Sequence, residues 1–278
     1  MRRRRLTRSL SSCPVRAPQC HRRCKSRFIL SCSLLLSLPP RLPFISHCPP
    51  PPPPPPPSEH PPTNQTNQPK VLLILDLQVG LYTVTHDFDP TLYRSNLLAH
   101  AALGSLFPTL PVILTTSAES GPNGPLPAEI LSMYPSAPLI KRQGEVDAWD
   151  NPSFRAALRA TNRSQVIVAG VTTDVCTAFL ALSLRQEGYG VWANVEASGT
   201  TSALVRDVSN DRMREAGVQL VSLFAIVCDL MRDWRGNPGA REVLPWLDRW
   251  MPAYGFLARA HGAAVREGAL IPGEEELL

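Results

Sequence analysis

Three residues of this 278-residue chain have the types that nucleophilic chemistry needs: an acid, Asp76; a permanent cation, Arg142; and a thiol, Cys176. Cysteine attacks as the thiolate, which a base, a cation or the unpaired N–H groups of a helix start can promote. Each of the three follows an apolar run that reads as a buried strand. Residues 71–75 precede Asp76, residues 138–140 precede Lys141-Arg142, and residues 166–170 precede the polar turn Thr172-Thr173-Asp174. From 175 to 184 apolar residues recur at helical spacing, so a helix is predicted to begin near Asp174, with Thr173 or Asp174 as its cap. Cys176 then falls in the first turn, where the helix dipole favours thiolate. The bland reading makes Cys176 a small packing residue, since free cysteine is among the most buried types.

The elements that must position these side chains alternate regularly. Further strands are predicted at 111–115, 190–195 and 218–221. Helices are predicted at 91–106, 127–133, 202–216 and 222–232, and another starts at Asn151-Pro152. This order implies an α/β fold: a three-layer, doubly wound, Rossmann-like, six-stranded and mostly parallel sheet. Ligands of such sheets sit at the carboxyl ends of the strands, which places Asp76, Arg142 and Cys176 on one rim. An aspartate there can also do no more than cap a turn. Residues 117–125 are rich in turn-formers, and Glu119 lies among them at the same edge.

Composition narrows the classes. Residues 1–69 carry a net charge of +10 and the remainder −5, so the basic character belongs to the leader and no nucleic-acid-binding domain is indicated. The leader combines arginine and serine with an unbroken proline run at 49–57 and an 11-residue apolar stretch at 28–38, too short to span a bilayer. It reads as a disordered, low-complexity segment, either a targeting sequence or an extension of the gene model. Only Cys176 and Cys228 lie beyond it, which suits a reducing compartment. The expected location is cytoplasmic, or mitochondrial if the leader is a presequence. No Gly-x-Gly-x-x-Gly, phosphate loop or Gly-x-Ser-x-Gly elbow is present, and His86, His100 and His261 are scattered. No cofactor and no metal is predicted, and no membrane partner.

Beyond the three residues, a series of blocks resembles the isochorismatase-like cysteine hydrolases, most of all the YcaC-type branch. They are Leu75-Asp-Leu-Gln-Val-Gly80, Leu114-Thr-Thr-Ser117 with Gly121-Pro-Asn-Gly-Pro125, Arg142 with Ala148-Trp-Asp-Asn151, Ala169-Gly-Val-Thr-Thr-Asp-Val-Cys176, Glu196-Ala-Ser-Gly-Thr200, Asp211-Arg-Met213 and Arg232-Asp-Trp-Arg235. The resemblance runs from about 71 to 234. It implies a triad in which Cys176 attacks, Asp76 relays the proton and a cation stabilises the thiolate. That cation aligns with Arg142, although Lys141 is one residue away. It further implies a cis peptide at Val171–Thr172, an oxyanion hole from the backbone N–H groups of Thr172 and Cys176, and a homo-oligomer. Metal-dependent relatives carry Asp-x-His after the second strand, where this chain has Ser117-Ala-Glu119.

Gln78, Glu119 and Trp149 are weaker candidates to line a substrate pocket; for Trp149 a core role is the alternative. Residues 70–236 are read as the hydrolase domain and 237–278 as a helical tail packing on it or on a partner subunit. The expected function is a metal-free cysteine hydrolase acting on a small amide-like or ester-like substrate through a thioester, an amidase-type activity. The alternative is an oligomeric protein of the same fold that binds a small ligand without turnover.

Overall fold

The computed structural model describes residues 69–269. Apart from Pro69, the leader lies outside the described residues, as does the tail from 270 onward. Six strands form one sheet: β1 (Lys70–Leu75), β2 (Val112–Ser117), β3 (Leu139–Arg142), β4 (Gln165–Gly170), β5 (Gly190–Asn194) and β6 (Gln219–Val221). Their order is β3-β2-β1-β4-β5-β6, and every neighbouring pair is parallel. β1 and β4 are buried along their whole length, which is why both read as continuous apolar runs.

Successive residues of β1 serve opposite layers. Leu72 and Ile74 pack under α1 (Pro90–Leu106) and α6 (Leu223–Met231), with α7 (Ala240–Trp250) completing that layer. Val71, Leu73 and Leu75 face the layer of α3 (Pro152–Ala160), α4 (Ala178–Gln186) and α5 (Ala203–Glu215). The short α2 (Ala128–Met133) covers the β2–β3 crossover, and α8 (Pro252–Glu267) packs on α7. From the tail, Val243, Trp246 and Leu247 enter the α1 layer as buried core residues.

Helix starts follow local chemistry. Asp89 accepts from Thr91 N and Leu92 N, both at 3.0 Å, ahead of Pro90. Asn151 accepts from Ser153 N and Phe154 N at 2.9 and 3.0 Å, ahead of Pro152. Both pair an acceptor cap with a proline that needs no N–H partner. The chain winds outward in both directions from β1 and β4, so the strand order reverses between them. That reversal opens a crevice at their carboxyl ends, and the segments leaving β1 and β4 carry Asp76 and Cys176. No helix among the described residues is long and apolar enough to cross a membrane.

Candidate active site

Asp76 leaves β1 with φ +53°, in the left-handed region that aspartate tolerates better than most residues. Its carboxylate is fully buried, and each oxygen is held by a side chain of another strand. Arg142 Nη2 binds Oδ2, and the Thr115 hydroxyl donates to Oδ1 at 2.7 Å. Arg142 ends β3, two strands away, so its side chain must cross β2, roughly 10 Å at the usual strand spacing. A long side chain reaching over the small Thr115 can do this. Its other terminal nitrogen, Nη1, donates to the Glu145 and Val146 carbonyls, the latter at 3.3 Å. The loop that supplies those carbonyls is tied down by the Glu145 carboxylate. Its own amide and that of Gly144, followed by Asn151, draw its pKa down to about 2.

Alternation along β3 decides between the two adjacent cations. Leu75 pairs with Thr115, Ser117 with Arg142, and Thr116 with Lys141. Register partners share a face, so Arg142 lies with Thr115 and Leu75 while Lys141 lies on the other face. There its ammonium meets Glu119 at 3.0 Å and its side chain is 56% exposed.

Beyond β4 the backbone does not enter a regular helix at once. The Val171–Thr172 peptide is cis. A single wide turn over Thr173–Thr177 follows, closed by Thr177 N to Thr172 O at 3.1 Å, and only then does α4 begin. Such one-turn π segments are frequent at functional sites. Gly170 permits the approach, because a Cβ there would lie 2.6 Å from Leu75 O and 2.9 Å from Thr177 Oγ1. The loop after β5 holds the turn's outer side: Thr173 N donates to Gly199 O at 3.0 Å, and Gly170 N to Ser198 Oγ at 3.4 Å.

Cys176 sits within this turn, half-buried, against the α3–α4 layer. The surroundings of Cys176 run against the resting thiolate expected from a helix start: the thiol is pushed up to about 12. Burial is the main cause, and the Asp76 carboxylate adds to it through its charge and by accepting from the thiol. Arg142 and the Thr172 N–H, which points at the sulfur, oppose the shift and do not overcome it. The resting pair is therefore a neutral thiol beside a carboxylate that an arginine already holds.

The Isochorismatase domain model matches residues 70–224, more than half of the chain. The chain belongs to the isochorismatase family. It is 45% identical to the Escherichia coli (strain K12) protein described as probable hydrolase YcaC, over 60% of this chain and 79% of the relative. A solved YcaC structure from Pseudomonas aeruginosa, described as carrying hexane-2,5-diol and covalent acrylamide, is 44% identical. The match covers 71% of this chain and 96% of that one, with a TM-score of 0.67. The Escherichia coli YcaC structure, described as an octameric hydrolase of unknown specificity, is 41% identical over 71% and 95% of the two chains, with a TM-score of 0.68.

In this member of the isochorismatase family the secondary candidates make contacts of their own. Gln78 is fully buried, and its amide ties the two loops together: Nε2 donates to Ser117 O at 3.1 Å and to Gly124 O, while Oε1 accepts from Ser117 N at 2.8 Å. Glu119 binds Lys141 and the Thr116 hydroxyl on the face away from Arg142. Trp149 is a core aromatic, packed edge-on against Tyr189 with Arg159 over its ring. Asp174 caps no helix; it accepts from the Thr200 hydroxyl at 2.7 Å, and the turn's first position, Thr172, makes no side-chain cap. A cavity of about 250 Å³ lies on the α1 side, walled by Leu77, Gln78, Tyr82, Tyr93, Leu97 and Val171; of the three pocket candidates it meets Gln78 alone, and it reaches none of Asp76, Arg142 or Cys176. Among the described residues no three His, Cys, Asp or Glu side chains cluster as metal ligands would. Reading for chemistry in the sequence missed Thr115 and Glu145. Thr115 had one signal, a polar residue closing the apolar run at 111–115 predicted as a strand.

Proposed function

We propose that this isochorismatase-family chain is a cysteine hydrolase that cleaves a small amide-like or ester-like substrate through a thioester. The observation that carries the reading is the half-buried Cys176 thiol directed at a carboxylate fixed by Arg142 and Thr115. Because the thiol rests protonated, attack and proton loss go together. As the sulfur adds to the carbonyl carbon, its proton passes to Asp76, and the carbonyl oxygen gains charge. The N–H groups of Thr172 and Cys176 receive that charge, and each such donor is worth about 10²–10³ in rate. Asp76 then protonates the leaving amine or alcohol as its bond to carbon breaks. In the second half Asp76 takes a proton from water, the hydroxide displaces sulfur, and the proton returns to Sγ. Arginine cannot release its proton, so Arg142 contributes charge and position while Asp76 carries every proton.

The relatives support the class. The Escherichia coli protein is described as a hydrolase, and the Pseudomonas structure as carrying covalent acrylamide, an electrophile. The octameric Escherichia coli relative also supports a homo-oligomer here. Turnover of a panel of small amides and esters tests the proposal. Wild type releases amine or alcohol, and Cys176→Ala and Cys176→Ser lose at least about 10³-fold. Equal turnover by wild type and Cys176→Ala would remove the hydrolase reading.

One observation favours a second reading, an oligomeric binder without turnover: the thiol pushed up to about 12 is a poor resting nucleophile. Saturable binding of an amide by wild type and Cys176→Ala alike, with no product from either, selects it.

A further inference from the structure

Asp76 has two fixed partners of different kinds. Arg142 at Oδ2 is charged in every state of the reaction. Thr115 at Oδ1 is a hydroxyl, which can turn between donating and accepting. Thr115 is fully buried and pairs in register with Leu75, and its carbonyl accepts the Asp76 N–H at 3.2 Å. One residue of β2 therefore grips Asp76 by main chain and side chain together. A carboxylate torsion is broad when unconstrained; bound at both oxygens, its plane is set and its remaining lone pairs have fixed directions. The β-branched side chain of Thr115 in turn limits where its hydroxyl can sit.

We propose that Thr115 is a positioning residue for proton transfer, supporting Oδ1 of Asp76 in both its charged and its protonated state. The inference rests on the reading above, in which Asp76 takes the Cys176 proton. While Asp76 is a carboxylate, Thr115 donates to it. Once Asp76 holds the proton, the hydroxyl can rotate and accept. Without the hydroxyl, Oδ1 has no fixed partner, and Asp76 loses the orientation in which it takes the thiol proton.

Alkylation of Cys176 by iodoacetamide, followed against pH on the full chain with the adduct located by peptide mapping, tests this. Near neutrality Thr115→Val reacts about 10- to 100-fold more slowly than wild type. Thr115→Ser, which keeps the hydroxyl, stays within a few-fold of wild type. Thr115→Ala and Thr115→Ser differ by one oxygen, so this pair carries the same contrast if the valine variant does not fold. Identical rates for wild type and Thr115→Ala overturn the inference, as do equally slow alanine and serine variants, which would mark a packing role. Alkylation of Asp76→Asn at the wild-type rate would instead remove Asp76 as the base, and Thr115 with it.

Discussion

A thiol held near 12 cannot wait as an anion at neutral pH, so the proton acceptor beside it decides whether it can attack at all. Asp76 is placed to meet that need by its bonds to Arg142 and Thr115. Both members of the ion pair are fully buried, and stripping one partner from such a pair leaves an uncompensated charge. Arg142→Ala should therefore cost roughly 3–5 kcal/mol in urea unfolding and abolish Cys176 reactivity. Lys141→Ala, which loses only an exposed contact to Glu119, should shift stability by about 0.5 kcal/mol or less and leave turnover unchanged. Similar unfolding midpoints for the two variants would show that the two cations are not distinguished by face. The choice between them was open to a reading of alternation once β3 was registered against β2. Neither composition nor proximity in sequence contained it.

Among the elements, the buried strands were plain in the sequence because a strand covered on both sides is apolar throughout, as in β1 and β4. The starts of α1 and α3 were legible for a similar local reason, an acceptor followed by proline. The wide turn around Cys176 was not. Thr172-Thr173-Asp174 has the composition of a helix cap, but Gly199 and Thr200, more than twenty residues away, hold the Thr173 N–H and the Asp174 carboxylate. Contacts of that range leave no trace in local periodicity. The loop after β1 is set the same way: a Cβ on Gly80 would lie 1.9 Å from Pro122 O, a backbone atom that cannot swing aside. Gly80→Ala should cost roughly 1–3 kcal/mol and lower turnover by displacing the Asp76 loop; an unchanged melting curve would contradict that approach.

His100 joins α1 to the sheet from inside the core. Its Nε2–H donates to Leu73 O at 3.1 Å and its Nδ1 accepts from Asn194 Nδ2 at 3.3 Å, a tautomer fixed by Asn194 Oδ1 accepting Glu196 N. Burial pushes its pKa down to about 4. The unfolded chain therefore binds a proton from about pH 6.5 downward while the folded chain does not. The stability from a neutral His100 is complete above that value and drains away as pH falls towards 4, by up to about 3 kcal/mol. Urea unfolding between pH 7 and 4.5 should show this slope in wild type and a shallower one in His100→Gln; equal slopes would mean that His100 titrates freely.

Taken as one body, the described chain uses its tail as core. Val243, Trp246 and Leu247 of α7 close the α1 layer, so Trp246→Ala should destabilise the protein by about 3–5 kcal/mol although Cys176 packs against the other layer. Buried apolar residues at helical spacing in the sequence announced these helices, but not which surface they would cover. The central claim concerns chemistry at a single sulfur, and intact-mass analysis after brief exposure to an activated acyl ester probes it most directly. The account predicts one added acyl group in wild type, mapped to the peptide containing Cys176, cleared by hydroxylamine and absent from Cys176→Ala. An acyl group that maps elsewhere, or one that Cys176→Ala acquires equally, would contradict it.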